Sequence, residues 1–203
     1  GRIFFHKTYG FHQYDSLRPV QKTDLYDLAS ITKITGPLPA IMKLTGEGKL
    51  NPSAKFSDYW PAFKNSDKKE ITIKEALAHQ AGFQAWIPFW KFSYRKNGKF
   101  KMHTLKADSS KNYPVKVTEH LWLYKNYQKT FYKILKKTPL RDKRDYLYSC
   151  LSFHVYPRII ERLIHINYED YISENFYKPL GAWSVTYNPL KKFPKDKIIP
   201  TEI

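Results

Sequence analysis

The chain has 203 residues, with 35 Lys and Arg against 18 Asp and Glu, for a formal net charge of +17. At 42% apolar and 17% aromatic it is too hydrophobic for a disordered tail, and it is long enough to bury a core without staples. Its one cysteine, Cys150, excludes an intrachain disulfide framework and a multi-cysteine zinc site, and it has no run of about 18 apolar residues to span a bilayer as a helix.

Gly1-Arg2-Ile3-Phe4-Phe5 reads as the middle of a strand, followed by a turn at Gly10 and a second short strand at Phe11-His12-Gln13-Tyr14. Asp15-Ser16-Leu17-Arg18-Pro19 reads as a loop. From Ser30 the apolar positions Ile34, Leu38, Ile41, Met42 and Leu44 follow helical spacing as far as Gly46 and Gly48. Pro37 and Pro39 each lack a backbone donor, so a bend or a late helix start is expected there. Thr72-Ile73-Lys74-Glu75 fits a capping box, opening a helix that runs to His79 and closes near Gly82.

Residues 83–147 read as a long, irregular, basic segment with at least one helix, near 118–137, carried by Leu121, Tyr124, Phe131, Ile134 and Leu135. A further helical pattern runs from Cys150 through Phe153, Ile159, Ile160, Leu163 and Ile164, interrupted by Pro157. Asn167 is placed to cap a short helix that ends at Pro179-Leu180-Gly181. Thr201-Glu202-Ile203 brings no closing element, so the expectation is the front portion of a longer protein.

The charge is concentrated. Residues 91–147 hold 16 Lys and Arg against 4 Asp and Glu, interleaved with aromatics such as Phe92, Tyr94, Trp122 and Phe131. That pattern suits an anionic polymer, by phosphate neutralisation and stacking. No nucleic-acid-binding signature accompanies it, and attraction to an anionic cell-wall polymer or a lipid headgroup fits the charge as well as nucleic acid does. The histidines do not group at metal-ligand spacing, and neither a metal nor a cofactor is expected.

The informative spacing is Ser-x-x-Lys. On a helix, residues i and i+3 share a face, so the amine of Lys33 reaches the hydroxyl of Ser30. At a helix start the local field favours an oxyanion, and that field, with burial, disfavours a charged lysine. A neutral amine can then take the serine proton. The pattern occurs three times, at Ser30/Lys33, Ser66/Lys69 and Ser93/Lys96. Only Ser30 follows an apolar lead and opens a hydrophobic helix.

Tyr26-Asp27-Leu28-Ala29-Ser30-Ile31-Thr32-Lys33 resembles the nucleophile segment of class C β-lactamases and related penicillin-recognising serine hydrolases. Four further pieces follow in matching order. They are Leu44-Thr45-Gly46-Glu47-Gly48-Lys49-Leu50; residues 73–82, similar to Leu-Leu-x-His-x-Ser-Gly with Ala81 in place of serine; Tyr148-Ser149-Cys150, where the family has Tyr-x-Asn or Tyr-Ser-Asp; and Pro179-Leu180-Gly181. The resemblance implies an α+β, β-lactamase/transpeptidase-like fold over residues 1–203. A helical region would carry part of an antiparallel sheet, incomplete at the C-terminus, and 83–147 would be a basic lineage-specific insertion or lid.

By the same resemblance Ser30 would be the acylated nucleophile, Lys33 its proton shuttle and Tyr148 the phenolate-like base or relay. Cys150 would take the substrate-contacting place of the Asn or Asp. The substrate would be a β-lactam, a D-Ala-D-Ala peptide of the peptidoglycan type or an ester, and the setting a bacterial envelope or periplasm. Two departures count against full activity. A thiol is a poor hydrogen-bond partner in the place of Asn. And no Lys-Thr-Gly or His-x-Gly follows Tyr148, although in the family that strand supplies an oxyanion donor.

Two alternatives stand beside this reading. A non-catalytic module could bind cell-wall or other anionic polymer through the basic segment. A Cys150–His154 pair, four residues apart, could share a helical face, although a buried thiol and an incidental histidine account for it better. His79 is expected to be a hydrogen-bonded structural histidine.

Overall fold

The computed structural model describes residues 2–14 and 17–201. Seven helices occur among them: α1 (Thr32–Thr35), α2 (Pro37–Gly46), α3 (Phe56–Tyr59), α4 (Ile73–Leu77), α5 (Tyr127–Lys137), α6 (Tyr156–Ile164) and α7 (Tyr168–Ile172). Strands β1 (Leu105–Lys106), β2 (Val115–Thr118) and β3 (Leu121–Leu123) form one antiparallel sheet in the order β1-β3-β2. The chain divides into two compact units, residues 1–46 with 160–203, and residues 47–159.

In the first unit, α2 starts with Pro37, whose missing N–H would have had no partner in a first turn anyway, and Pro39 falls in that same turn. The expected bend is therefore a complete break at Gly36, between α1 and α2. Ala40, Ile41 and Leu44 of α2 are buried, as are Tyr168, Tyr171 and Ile172 of α7. The Asn167 side chain caps α7 by accepting from Glu169 N (2.9 Å) and Asp170 N (3.4 Å).

Gly10 makes its turn at φ +75°, but the strands expected beside it are absent. Residues 2–9 pair with no strand among the described residues, and Phe4 is 99% exposed. Phe11 makes only an isolated bridge to Pro19. A strand exists through its ladder, and apolar sequence without a partner stays an unpaired extended arm. Asp15 and Ser16 of the expected loop lie outside the described residues, as do Gly1, Glu202 and Ile203.

The second unit is built around an aromatic core. Phe56, Phe63 and Tyr156 are fully buried, with Phe56 5.4 Å from each of the other two rings. The Tyr156 hydroxyl donates to the Ile73 carbonyl at 3.4 Å. The capping box of α4 is present, with Glu75 N donating to Thr72 Oγ1 (3.1 Å) and Thr72 N to Glu75 Oε2 (2.8 Å). The helix ends earlier than the sequence suggests. Ala78 caps it and His79 turns out at φ +58°, three residues before Gly82.

The basic segment is more regular than expected. Leu121, assigned to a helix by its spacing, belongs to β3. The β-branched run of β2 turns back at Glu119-His120, and residues 121–123 pair with both β1 and β2. The helix begins only at Tyr127. Pro157 does not interrupt α6, because it sits in the first turn.

Lys68, only 1% exposed, fixes the far end of α5. Its ammonium donates to Asp67 Oδ1 (2.6 Å) and to the carbonyls of Lys136 (3.2 Å) and Thr138 (2.5 Å), while Asp67 Oδ2 accepts from Leu140 N (2.7 Å). Burial alone would push the Asp67 carboxyl up, but these donors outweigh it and hold the group below the usual carboxylate range.

Lys68→Met should therefore cost about 2–4 kcal/mol in urea unfolding, because two buried carbonyls and a carboxylate lose their donor together. The folded form of Asp67 is the more acidic one. Its contribution is accordingly full above the ordinary Asp value of about 4, and it is lost as pH falls through the lower folded value. Wild type should lose stability over that acid range, and the variant should lose less.

Candidate active site

Ser30 lies in a 3₁₀ turn (Ala29–Ile31) that leads directly into α1. The turn is entered through a left-handed residue. Ala29 has φ +44°, an uncommon conformation for a residue with a side chain, and its N–H donates to Asp27 Oδ1 at 2.8 Å. The next N–H groups are engaged locally, Ile31 N with the Leu28 carbonyl (2.9 Å) and Thr32 N with the carbonyls of Ala29 and Ser30. Backbone strain of this kind persists only where neighbouring groups hold it.

The consequence is a short contact. Lys33 Nζ lies 2.9 Å from Ser30 Oγ. Ser30 is exposed and Lys33 half-buried. The other two Ser-x-x-Lys serines are occupied elsewhere. Ser66 Oγ donates to the Phe63 carbonyl (2.8 Å), and Ser93 Oγ shares a hydrogen bond with Tyr127 Oη (2.9 Å).

Behind Lys33, the break at Gly36 is packed by phenols. A Cβ on Gly36 would collide with Tyr187 Oη and lie 2.6 Å from Tyr168 Oη. Those two hydroxyls are 2.9 Å apart. Burial, reinforced by the neighbouring phenols, pushes Tyr168 far up, and burial likewise raises Tyr187. Tyr177, hydrogen-bonded to Thr35, is pushed up to about 12, chiefly by burial. All three stay neutral and serve as hydrogen-bonding packing against the helix break. The sequence signal for the break was Pro37 with Pro39, and nothing in the sequence named Gly36 or the tyrosines.

Tyr148 and Cys150 lie in the second unit, on a turn sewn to the segment after α4. Leu147 N donates to the His79 carbonyl (3.0 Å), Ser149 N to His79 Nδ1 (3.1 Å), Ser149 Oγ to the Gln84 carbonyl (2.7 Å) and Cys150 N to the Ala85 carbonyl (3.0 Å). Tyr148 is 40% exposed, with its ring 4.6 Å from that of His79.

Cys150 is half-buried and precedes the 3₁₀ turn Ser152–His154, so it shares no helical face with His154. The His154 ring packs edge-on against Phe131 (5.2 Å) and Phe89 (6.1 Å). The geometry that a cysteine–histidine pair required is absent. Among the described residues no three of His, Cys, Asp and Glu gather as a metal would require, and no helix is long and apolar enough to cross a membrane.

Comparison with known proteins places this geometry in context. The Beta-lactamase family model matches residues 1–200. A protein of Escherichia coli (strain K12) named "Putative D-alanyl-D-alanine carboxypeptidase" is 29% identical over 197 residues, which are 92% of this chain and 40% of that protein. The octameric penicillin-binding protein homologue from Pyrococcus abyssi superposes with a TM-score of 0.62 at 17% identity, over 94% of this chain and 39% of that one. A class C beta lactamase from Rhodobacter sphaeroides gives 0.52 at 19% identity, over 85% and 40%. These structural likenesses show a shared fold. The chain spans about two fifths of the length of the relatives it matches.

Gly36→Ala tests the packing behind Lys33. The added methyl group should overpack the phenol cluster and destabilise the protein by about 1–3 kcal/mol in chemical denaturation. Combining it with Tyr187→Phe, which removes the colliding oxygen, should recover part of that loss.

Proposed function

The chain belongs to the Beta-lactamase family, and we propose that it carries the nucleophile-bearing portion of a serine hydrolase acting through an acyl-serine intermediate. The observation that supports this most directly is the 2.9 Å contact between Lys33 Nζ and Ser30 Oγ. An ammonium donates across that distance, and a neutral amine accepts across it. In the accepting state Lys33 takes the hydroxyl proton as Ser30 Oγ attacks the substrate carbonyl carbon. Collapse of the tetrahedral intermediate breaks the C–N or C–O bond, and the leaving group takes up a proton. Water then hydrolyses the acyl-serine.

In this reading Tyr148 is the second proton-transfer group, acting as base or relay, and Cys150 stands at the substrate-contacting position that an amide or carboxylate occupies in relatives. A thiol there gives a weaker contact. The substrates proposed are carbonyl compounds of the β-lactam, D-Ala-D-Ala peptide or ester type, met in the bacterial envelope. The name of the Escherichia coli relative, "Putative D-alanyl-D-alanine carboxypeptidase", favours the peptide. The basic segment 91–147 is proposed to face an anionic wall polymer.

The 203-residue chain by itself should be a weak hydrolase. It contains no Lys-Thr-Gly or His-x-Gly after Tyr148, and loss of one oxyanion donor typically costs about 10²–10³ in rate. Nitrocefin and p-nitrophenyl ester turnover should be compared for this chain, its Ser30→Ala variant and a longer protein, the chain extended past Ile203 to the length of its relatives. The expected order is longer protein well above chain, and chain above Ser30→Ala. Equal background from all three would favour a non-catalytic module that binds polymer through its basic segment.

A further inference from the structure

We infer that His79 is a positioning residue for Tyr148, gripping the backbone on both sides of it and bracing its ring. The inference rests on the reading of Tyr148 as the proton-transfer group, and it adds a residue to which that reading gave no role.

The first argument is where His79 sits. It follows the Ala78 cap of α4, with Gln80 N donating to the Glu75 carbonyl (2.9 Å) and His79 N to the Ala76 carbonyl (3.4 Å). These are the two bonds of a Schellman ending, and His79 holds the left-handed position at φ +58° that glycine most often fills. A side chain there is held against the backbone preference of L-residues. Three residues on, at φ +76°, the chain does use a glycine, Gly82.

The second argument is what that side chain does. The His79 carbonyl accepts from Leu147 N and its Nδ1 accepts from Ser149 N, so one residue holds the amides immediately before and after Tyr148. Its ring then lies 4.6 Å from the Tyr148 ring at 47°, and is itself flanked by Phe153 (5.6 Å) and, edge-on, by Tyr146 (6.1 Å). A tyrosine has two side-chain torsions. With its backbone fixed and one ring face covered, the arc open to its hydroxyl is short. Other bonds of the turn, among them Ser149 Oγ to Gln84 and Cys150 N to Ala85, are made by residues after Tyr148. Because Nδ1 accepts, the neutral ring carries its proton on Nε2.

The test separates positioning from mere structural support. Glycine suits the left-handed site, so His79→Gly keeps the helix ending while removing acceptor and ring. Asparagine also tolerates that site, and its side-chain oxygen can stand in for Nδ1. In the chain extended past Ile203, His79→Gly should slow acylation by a fluorescent penicillin about 10–100-fold, with half-saturation changed less than about 3-fold. His79→Asn should retain most of the rate. In a Tyr148→Phe background His79→Gly should add nothing, because the group it positions is already gone.

An equal loss in both backgrounds, or an unchanged rate in His79→Gly while Tyr148→Phe is slow, overturns the inference. If Ser30→Ala or Tyr148→Phe leaves labelling unchanged, the functional reading fails instead. Amide exchange then decides the bracing alone. Ser149 protection lost in His79→Gly and kept in His79→Asn supports it, and protection unchanged in His79→Gly overturns it.

Discussion

A serine hydroxyl and a lysine amine three residues apart meet at 2.9 Å because the backbone turns sharply before them and stops soon after. Ala29 enters the turn in the left-handed region, steadied by Asp27, and Gly36 ends α1 after a single turn. Neither feature tolerates slack. A side chain at residue 36 would fall where Tyr168 and Tyr187 place their hydroxyls. The first unit is thus organised less by apolar contact at this point than by polar groups made to satisfy one another at a helix break.

The second unit repeats that logic with different residues. Its aromatic core of Phe56, Phe63 and Tyr156 supplies the bulk of burial, but the geometry of the 147–150 turn comes from hydrogen bonds to a short stretch after α4. Lys68 does the corresponding work for the end of α5, where three acceptors converge on one buried ammonium. Such groups are costly when left unpaired and modest in net value when paired. They therefore specify where turns lie more than they stabilise the whole. In the proposed function, that specification brings side chains of weak intrinsic reactivity to defined positions.

The sequence made part of this legible. The capping box at Thr72–Glu75, the Asn167 cap and the helix restart at Pro37 are local devices, and each appears where its residues said it would. Ser30 was preferred to Ser66 and Ser93 because an apolar helix was expected to open there, whereas the helix it leads into, α1, has four residues and buries none of them, and the apolar helix starts only at Pro37. What depended on distant partners was not legible. Leu121 looked helical until its pairing with β1 and β2 is known, and Ile3-Phe4-Phe5 looked like a strand although nothing among the described residues pairs with it. The early end of α4 was hidden because histidine, not glycine, takes the left-handed position. The carbonyl partners of Lys68 lie 68 and 70 residues away, beyond any local pattern.

The central claim is that Ser30 becomes acylated, and the adduct itself can be located. Trypsin should release residues 23–33 as one peptide in which Ser30 is the single serine. After long incubation of the chain with excess benzylpenicillin and acid quenching, mass spectrometry of that peptide should show the added mass of the intact penicillin on Ser30. Ser30→Ala should show none. An adduct placed on another residue, or one that forms equally in Ser30→Ala, would contradict the account.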